Sequence, residues 1–276
     1  MKYIILPLLF LVSIASAQQS EKYDLQWKVT DTLTYKTIMD EKHVPTEGKE
    51  MKMDSLFGEL GKSFDKMRSQ ASKLKYASKL FNDCRGNIDI VMEVVREEED
   101  TTDNMFTSMV SMNGNVMLRG KISPAGELLS HYYNTSQSNL IALLFELPSK
   151  PVAIGEKWHL QVDLIAMDQN FVGEEFSKEN EVFIEEIREK NGDTVAVIKY
   201  NIAEYVSGTF GNAAMSLFGE AKEQNIYMKM THKATALFSI EKGRWLEYKG
   251  NTEIDTNFSL LGSGGVRTTV FELIPE

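Results

Sequence analysis

Four histidines, one cysteine and several pairs of carboxylates are the side chains of this 276-residue chain best suited to catalysis or metal binding. His43, His131, His159 and His232 stand far apart, with no His-Glu-x-x-His and no His-x-His pair, so no local zinc signature is present. His159 follows Trp158 in an alternating segment and falls on the opposite face, which suits sheet-surface structure rather than a ligand role. Gly61-Lys62-Ser63 matches the end of a phosphate-binding loop, but Leu56 occupies the position of the earlier glycine and the segment lies within a helical stripe. Gly262-Ser263-Gly264-Gly265 lacks the spacing of a nucleophile elbow or a dinucleotide fingerprint and reads as a turn.

The acidic groups are Glu97-Glu98-Glu99-Asp100, Glu174-Glu175 and Glu185-Glu186. Glycoside hydrolysis needs two carboxylates facing each other across a cleft, whereas neighbours on one strand point to opposite faces. The run at 97–100 also lacks the glycine and spacing of a calcium loop, so these groups read as solvated charge. Cys84 has no second cysteine to pair with, which excludes a disulfide scaffold, and the expectation for it is a buried small apolar side chain. No catalytic, cofactor-binding or metal-ligating residue is assigned, no cofactor is implied, and the reading leans away from an enzyme.

The elements behind these residues are mostly strands. Tyr23, Leu25, Trp27 and Val29 alternate with polar neighbours, predicting a half-buried strand over 23–30 whose partner is 33–39 across a turn at Asp31-Thr32. Ile88, Ile90, Met92 and Val94 repeat the pattern, and 116–122 and 128–133 flank the hairpin signal Ser123-Pro124-Ala125-Gly126. A short apolar helix is predicted over 138–147, stopped by Pro148. Strands follow at 157–166, 181–189, 194–205, 226–240, 244–258 and 266–274. Asn191-Gly192-Asp193 and Lys242-Gly243 serve as turns.

Two other patterns carry a binding interpretation. Met53, Phe57, Leu60, Phe64, Met67, Ala71 and Leu74 recur at spacings of three and four, which predicts a helical insertion near 50–80. Its lysines, from Lys52 to Lys79, would suit an anionic lipid surface or a partner, or simply water with the apolar stripe packed on the sheet. Met105, Met109, Met112 and Met117 cluster, and Met228 and Met230 share a strand face. Methionine gives adaptable apolar surface, so a cavity for an apolar or lipid ligand is one expectation and ordinary core packing the other.

Residues 1–17 have the three parts of a secretory signal: Lys2, an apolar run from Tyr3 to Ile14 broken only by Ser13, and Ala15-Ser16-Ala17 at the cleavage site. Gln18-Gln19-Ser20 follow, with no cysteine for lipid attachment. Cleavage after Ala17 would leave residues 18–276 as a single β-rich domain in the periplasm or outside the cell. The formal charge of −10 would become one unit more negative with the loss of Lys2. No other run is long and apolar enough to span a bilayer, and the acidic balance argues against nucleic acid as a partner.

Three segments, 23–39, Leu147-Pro148-Ser149-Lys150-Pro151-Val152-Ala153-Ile154-Gly155-Glu156-Lys157-Trp158, and 238–245, carry a family likeness. The middle one resembles the LP-x-x-PV-x-x-G-x-x-W segment of a family of exported bacterial proteins classed as a domain of unknown function. The resemblance implies a β-rich exported fold, similar in outline to the half-barrel lipoprotein carriers of the bacterial envelope, and carries over no functional residue.

The fold class expected is therefore mainly β (α+β), a large curved antiparallel sheet or half-barrel with a helical insertion. The functional expectation is a non-enzymatic envelope protein holding an apolar or lipid ligand on that sheet. The alternatives are a structural or interaction protein of a cell-surface assembly and a hydrolase whose active site converges only in the fold.

Overall fold

The computed structural model describes residues 21–45, 75–95, 115–131, 135–165, 171–210, 225–257 and 265–276. In chain order its elements begin with β1 (Lys22–Tyr23), β2 (Leu33–Pro45), β3 (Lys75–Asn82), β4 (Ile88–Val95), β5 (Val116–Ile122) and β6 (Leu128–His131). Helix α1 (Thr135–Phe145) comes next, followed by β7 (Val152–Ala153) and β8 (Lys157–Trp158). The long strands β9 (Phe171–Lys190), β10 (Asp193–Phe210), β11 (Ile226–Ser239), β12 (Arg244–Thr256) and β13 (Gly265–Pro275) complete the chain.

Eleven strands form one sheet in the order β6-β5-β4-β3-β2-β13-β12-β11-β10-β9-β8, antiparallel at every pairing and not closed into a barrel. Hairpins build most of it. The β9–β10 turn has Asn191 at φ 56° and Gly192 at φ 75°, the left-handed pair that a two-residue hairpin requires. Strands β2 and β13 join the two halves of the sheet, with Thr37 opposite Leu273.

Helix α1 lies on the inner face and forces the sheet to curve. It packs against β5 and β6, where a Cβ at Gly120 would sit 2.3 Å from Ile141 Cδ1 and 3.1 Å from the Ser130 carbonyl oxygen, so a larger residue there would have to displace the Ile141 side chain. The other end reaches β12 through two hydrogen bonds: Trp245 Nε1 donates to the Leu144 carbonyl at 2.8 Å, and the Tyr248 hydroxyl to the Leu143 carbonyl at 3.1 Å. In a flat sheet β5 and β12 would stand five strand spacings, roughly 24 Å, apart. An eleven-residue helix is only about 16 Å long. The adjacent residues Trp27 and Lys28 report the same bend, donating from their backbone to Pro124 in the β5–β6 turn and to Gly243 in the β11–β12 turn.

The core fills the space between sheet and helix. Trp27, Phe145, Phe238 and Trp245 pack with ring centroids 5.1–6.0 Å apart, mostly edge to face, as aromatic quadrupoles favour. Trp27 Nε1 donates to the Phe145 carbonyl at 2.9 Å. Three of the carbonyls left open by the helix end are thus met by aromatic side chains rather than by water.

Two segments depart from the expected strands, for one reason. Leu25, Trp27 and Val29 are buried and their neighbours exposed, yet only Lys22–Tyr23 joins a ladder, and its partner is β7, not 33–39. Likewise only Lys157–Trp158 of 157–166 pairs as a strand, although Leu160, Val162 and Leu164 are buried as expected. In both, extended backbone crosses the core and takes its partners from side chains and turns. Asn180 bonds the NH and carbonyl of Leu160, Glu146 accepts from the Gln161 NH, Asn139 from the Asp163 NH, and Glu204 from the Ile165 NH.

Of the helix expected over 52–79, residues 75–79 are strand β3, where Tyr76, Ser78 and Leu80 turn inward. The remainder lies outside the described residues, as do Met105, Met109 and Met112. Cys84 is exposed rather than buried, because it sits in the turn that Asp83 organises by accepting from the NH groups of Arg85 and Asn87. Among the described residues no helix is long and apolar enough to cross a membrane.

Trp245→Phe removes one donor and leaves the Leu144 carbonyl buried without a partner. It is expected to cost about 1–3 kcal/mol, read as a lowered urea midpoint at unchanged m-value. An unchanged midpoint would show that the helix end is not held this way.

Candidate functional site

Two places gather polar chemistry: a sealed cluster on the inner face and an open groove on the outer one. In the first, His232 on β11 faces Thr252 on β12 in register, with His232 Nδ1 2.7 Å from Thr252 Oγ1 and Nε2 2.8 Å from the Tyr248 hydroxyl. Gly250 makes the approach feasible, since a Cβ there would lie 2.9 Å from His232 Cε1 and 3.1 Å from Tyr248 Cε1. Tyr200 completes the group, edge-on to both rings.

Hydrogen-bond bookkeeping assigns the protons. The Leu143 carbonyl can only accept, so Tyr248 gives it the hydroxyl proton, and the Tyr248 oxygen accepts from His232 Nε2–H. His232 is then neutral, with Nδ1 accepting from Thr252 Oγ1–H. Burial lowers the His232 pKa to about 4, consistent with that assignment. At the end of α1, Glu146 is 6 % exposed and its pKa is raised to about 7, chiefly by burial, against the backbone hydrogen bond from Gln161 and with Glu127 adding to the rise. Burial, with a smaller contribution from the same carboxylate, pushes the Tyr200 hydroxyl upward. Tyr200 Oη is buried with no hydrogen-bond partner among the described residues.

Histidine, tyrosine and carboxylate together resemble acid–base machinery, but the chain from Thr252 through His232 and Tyr248 ends on a backbone carbonyl. His232 and Tyr248 are wholly buried, which leaves no face for a reacting molecule. The cluster locks β11, β12 and α1 together.

The outer groove has a volume of about 670 Å³ and crosses β9 to β13. Strand register builds it in two rows. Lys199, Thr235 and Lys249 are cross-strand neighbours, and Asn201, Lys233 and Asn251 form the next row along the strands. Phe183 and Val270 give apolar margins, and Glu181 and Glu272 stand on the outermost two strands. Lys199 donates to Thr235 Oγ1 at 3.0 Å and lies 3.4 Å from Glu185; Lys249 lies 3.6 Å from Glu247 and 3.8 Å from Glu272. Lys233 is exposed, and its ammonium makes no hydrogen bond or ion pair among the described residues. The carboxylates of Glu181 and Glu272 are separated by four strand spacings, roughly 19 Å, beyond the reach of a paired glycosidase mechanism.

The residues weighed from sequence are not brought together. His43 is half-buried in β2, His131 is exposed in β6, and His159 is exposed on the face opposite Trp158, bonded to the Asn180 carbonyl. Glu174 and Glu175 are exposed on β9, while Glu185 and Glu186 pair separately with Lys199 and Arg188. Met117 and Met230 pack on the main core. Gly61-Lys62-Ser63 and Glu97–Asp100 lie outside the described residues. Among the described residues no group of three or more His, Cys, Asp or Glu is placed to hold a metal ion. No protein-family model and no curated protein matches the chain.

The two buried titrations oppose each other. Glu146, raised when folded, contributes stability fully present below pH 4.5 and lost as pH rises through about 7. His232, depressed when folded, contributes stability present above pH 6.5 and lost as pH falls through about 4. Glu146→Gln keeps the acceptor for Gln161 and removes only the first effect. Between pH 4.5 and 7 its unfolding free energy should climb more steeply with pH than the wild type's, by roughly 3 kcal/mol over the window. Identical slopes in urea titrations would contradict the Glu146 assignment.

Proposed function

We propose that the protein is an exported envelope protein without a catalytic centre that holds a ligand on its curved sheet, and that the ligand lies in the outer groove. The groove itself carries this reading. It has the size of a small-ligand site, with polar groups from three adjacent strands converging on it and apolar margins at Phe183 and Val270. The inner face is a poorer place for an apolar ligand, because Ile198, Tyr200, Ala236, Phe238 and Tyr248 are buried there against α1 and one another. Export rests on the signal-like residues 1–17 and agrees with the implication of the family resemblance.

One observation favours the interaction-protein reading in second place. Strand β9 has twenty residues, but β8 pairs with it only at Val182 and Phe183. Phe176 and Val172 on the same strand are 70 % and 62 % exposed. An edge of this kind can accept a strand from another protein.

Native mass spectrometry of protein recovered from the extracytoplasmic fraction tests the first reading. The polypeptide mass should begin at Gln18, and a non-covalent adduct should be lost in Thr235→Trp, which fills the groove. An adduct retained by that variant, or a chain still carrying residues 1–17 in the cytoplasm, would contradict the proposal.

A further inference from the structure

We infer that the groove recognises an acidic oligosaccharide, a sugar chain bearing widely spaced carboxylates, through Lys199, Lys233 and Lys249; this rests on the groove being the ligand site. The chain as a whole is acidic, with formal charge −10, yet these three lysines meet on adjacent strands β10, β11 and β12. Lys199 and Lys249 are both in register with Thr235, so their strands lie two spacings, about 10 Å, apart. Lys233 stands two residues further along β11, about 7 Å away, and makes the third corner of a triangle.

The partners already present leave these cations available. The carboxylates beside Lys199 and Lys249 lie 3.4–3.8 Å away on an exposed face, where such pairs hold weakly, and Lys233 has none among the described residues. An anion entering the triangle meets three ammonium groups at once.

The neutral groups narrow the class. Thr235 lies between Lys199 and Lys249, and Asn201 and Asn251 flank Lys233. Asn201 already donates to Glu179 at 2.6 Å and keeps its amide oxygen as an acceptor, while Thr235 and Asn251 offer both donors and acceptors, matching the hydroxyls of a sugar. Phe183 at the margin presents an apolar surface against which the face of a sugar ring can rest. Nucleic acid fits poorly, since it carries a phosphate at every nucleotide, one per ~3.4 Å of axis on each strand of a duplex, and needs a continuous basic track. Here Glu181 and Glu272 bound the cationic patch on both sides. Carboxylates spaced about 10 Å apart match the lysines, and a denser anion meets the flanking glutamates.

Calorimetric titration of the purified protein with an oligosaccharide of alternating glucuronate and N-acetylglucosamine (one carboxylate for every two rings), a neutral cello-oligosaccharide, oligothymidylate and phosphatidylglycerol vesicles tests the inference. The acidic oligosaccharide should bind, weaken with added salt, and lose at least tenfold in affinity in the Lys199→Gln/Lys233→Gln/Lys249→Gln variant, with circular dichroism showing the fold intact. If that variant does not fold, Lys233→Glu alone should show the loss. Absent binding of the acidic oligosaccharide, equal affinity in the variants, or preference for oligothymidylate or vesicles would overturn it. Binding of the neutral sugar that Thr235→Trp abolishes would keep the groove as ligand site and reject only the anionic class.

Discussion

The C-terminal end of helix α1 is the constraint on which the described fold turns. A helix end exposes carbonyls that must find donors, and here the indoles of Trp27 and Trp245 and the hydroxyl of Tyr248 supply them from inside the core. Each donor is also a large apolar body, so the same three side chains satisfy the helix and fill the space beneath it. Because α1 rests on β5 and β6 at one end and is bonded to β12 at the other, the sheet between must curve. The extended segments at 24–30 and 159–165 then cross the enclosed core, the first donating to the turn carbonyls of Pro124 and Gly243 and the second bonded by the side chains of Asn180, Glu146 and Glu204.

Curvature divides the labour between the faces. The inner face is closed by the helix and by the His232–Tyr248–Thr252 network, whose groups are spent on one another and on a backbone carbonyl. The outer face buries a small apolar cluster of Val195, Val197 and Leu237, and beyond it gathers Lys199, Lys233 and Lys249 from three strands at the groove. A buried network of this kind fixes strand register, and strand register is what places Lys199, Thr235 and Lys249 in one row. The structural cluster therefore positions the groove lysines without touching them.

Much of the sheet was legible from alternation and turn residues. The hairpins at 116–131, 181–205 and 226–256 follow from apolar periodicity with Pro124-Ala125-Gly126, Asn191-Gly192 and Lys242-Gly243 between the strands, whereas the first half of β9, 171–180, is mostly exposed and carries no such signal. The helix ahead of Pro148 was legible for the same reason, though it starts at Thr135 rather than 138. Alternation misled at 24–30 and 159–165 because it reports an extended chain lying on a core, whatever its backbone pairs with. Cys84 misled because its type favours burial, while its place in the Asp83 turn decides for exposure. Neither polar site was legible. His232 meets Tyr248, Thr252 and the end of α1 only after folding, and the three groove lysines become neighbours only through register across β10, β11 and β12.

The central claim is that the outer face recognises and the inner face holds. An NMR titration that follows both faces in one sample tests it most directly. With the glucuronate–N-acetylglucosamine oligosaccharide added, resonances of Lys199, Asn201, Lys233, Thr235, Lys249 and Asn251 should move while those of the His232 and Tyr248 rings stay in place. Shifts centred on the rings of His232, Tyr200 and Tyr248, with the outer face unmoved, would contradict the account.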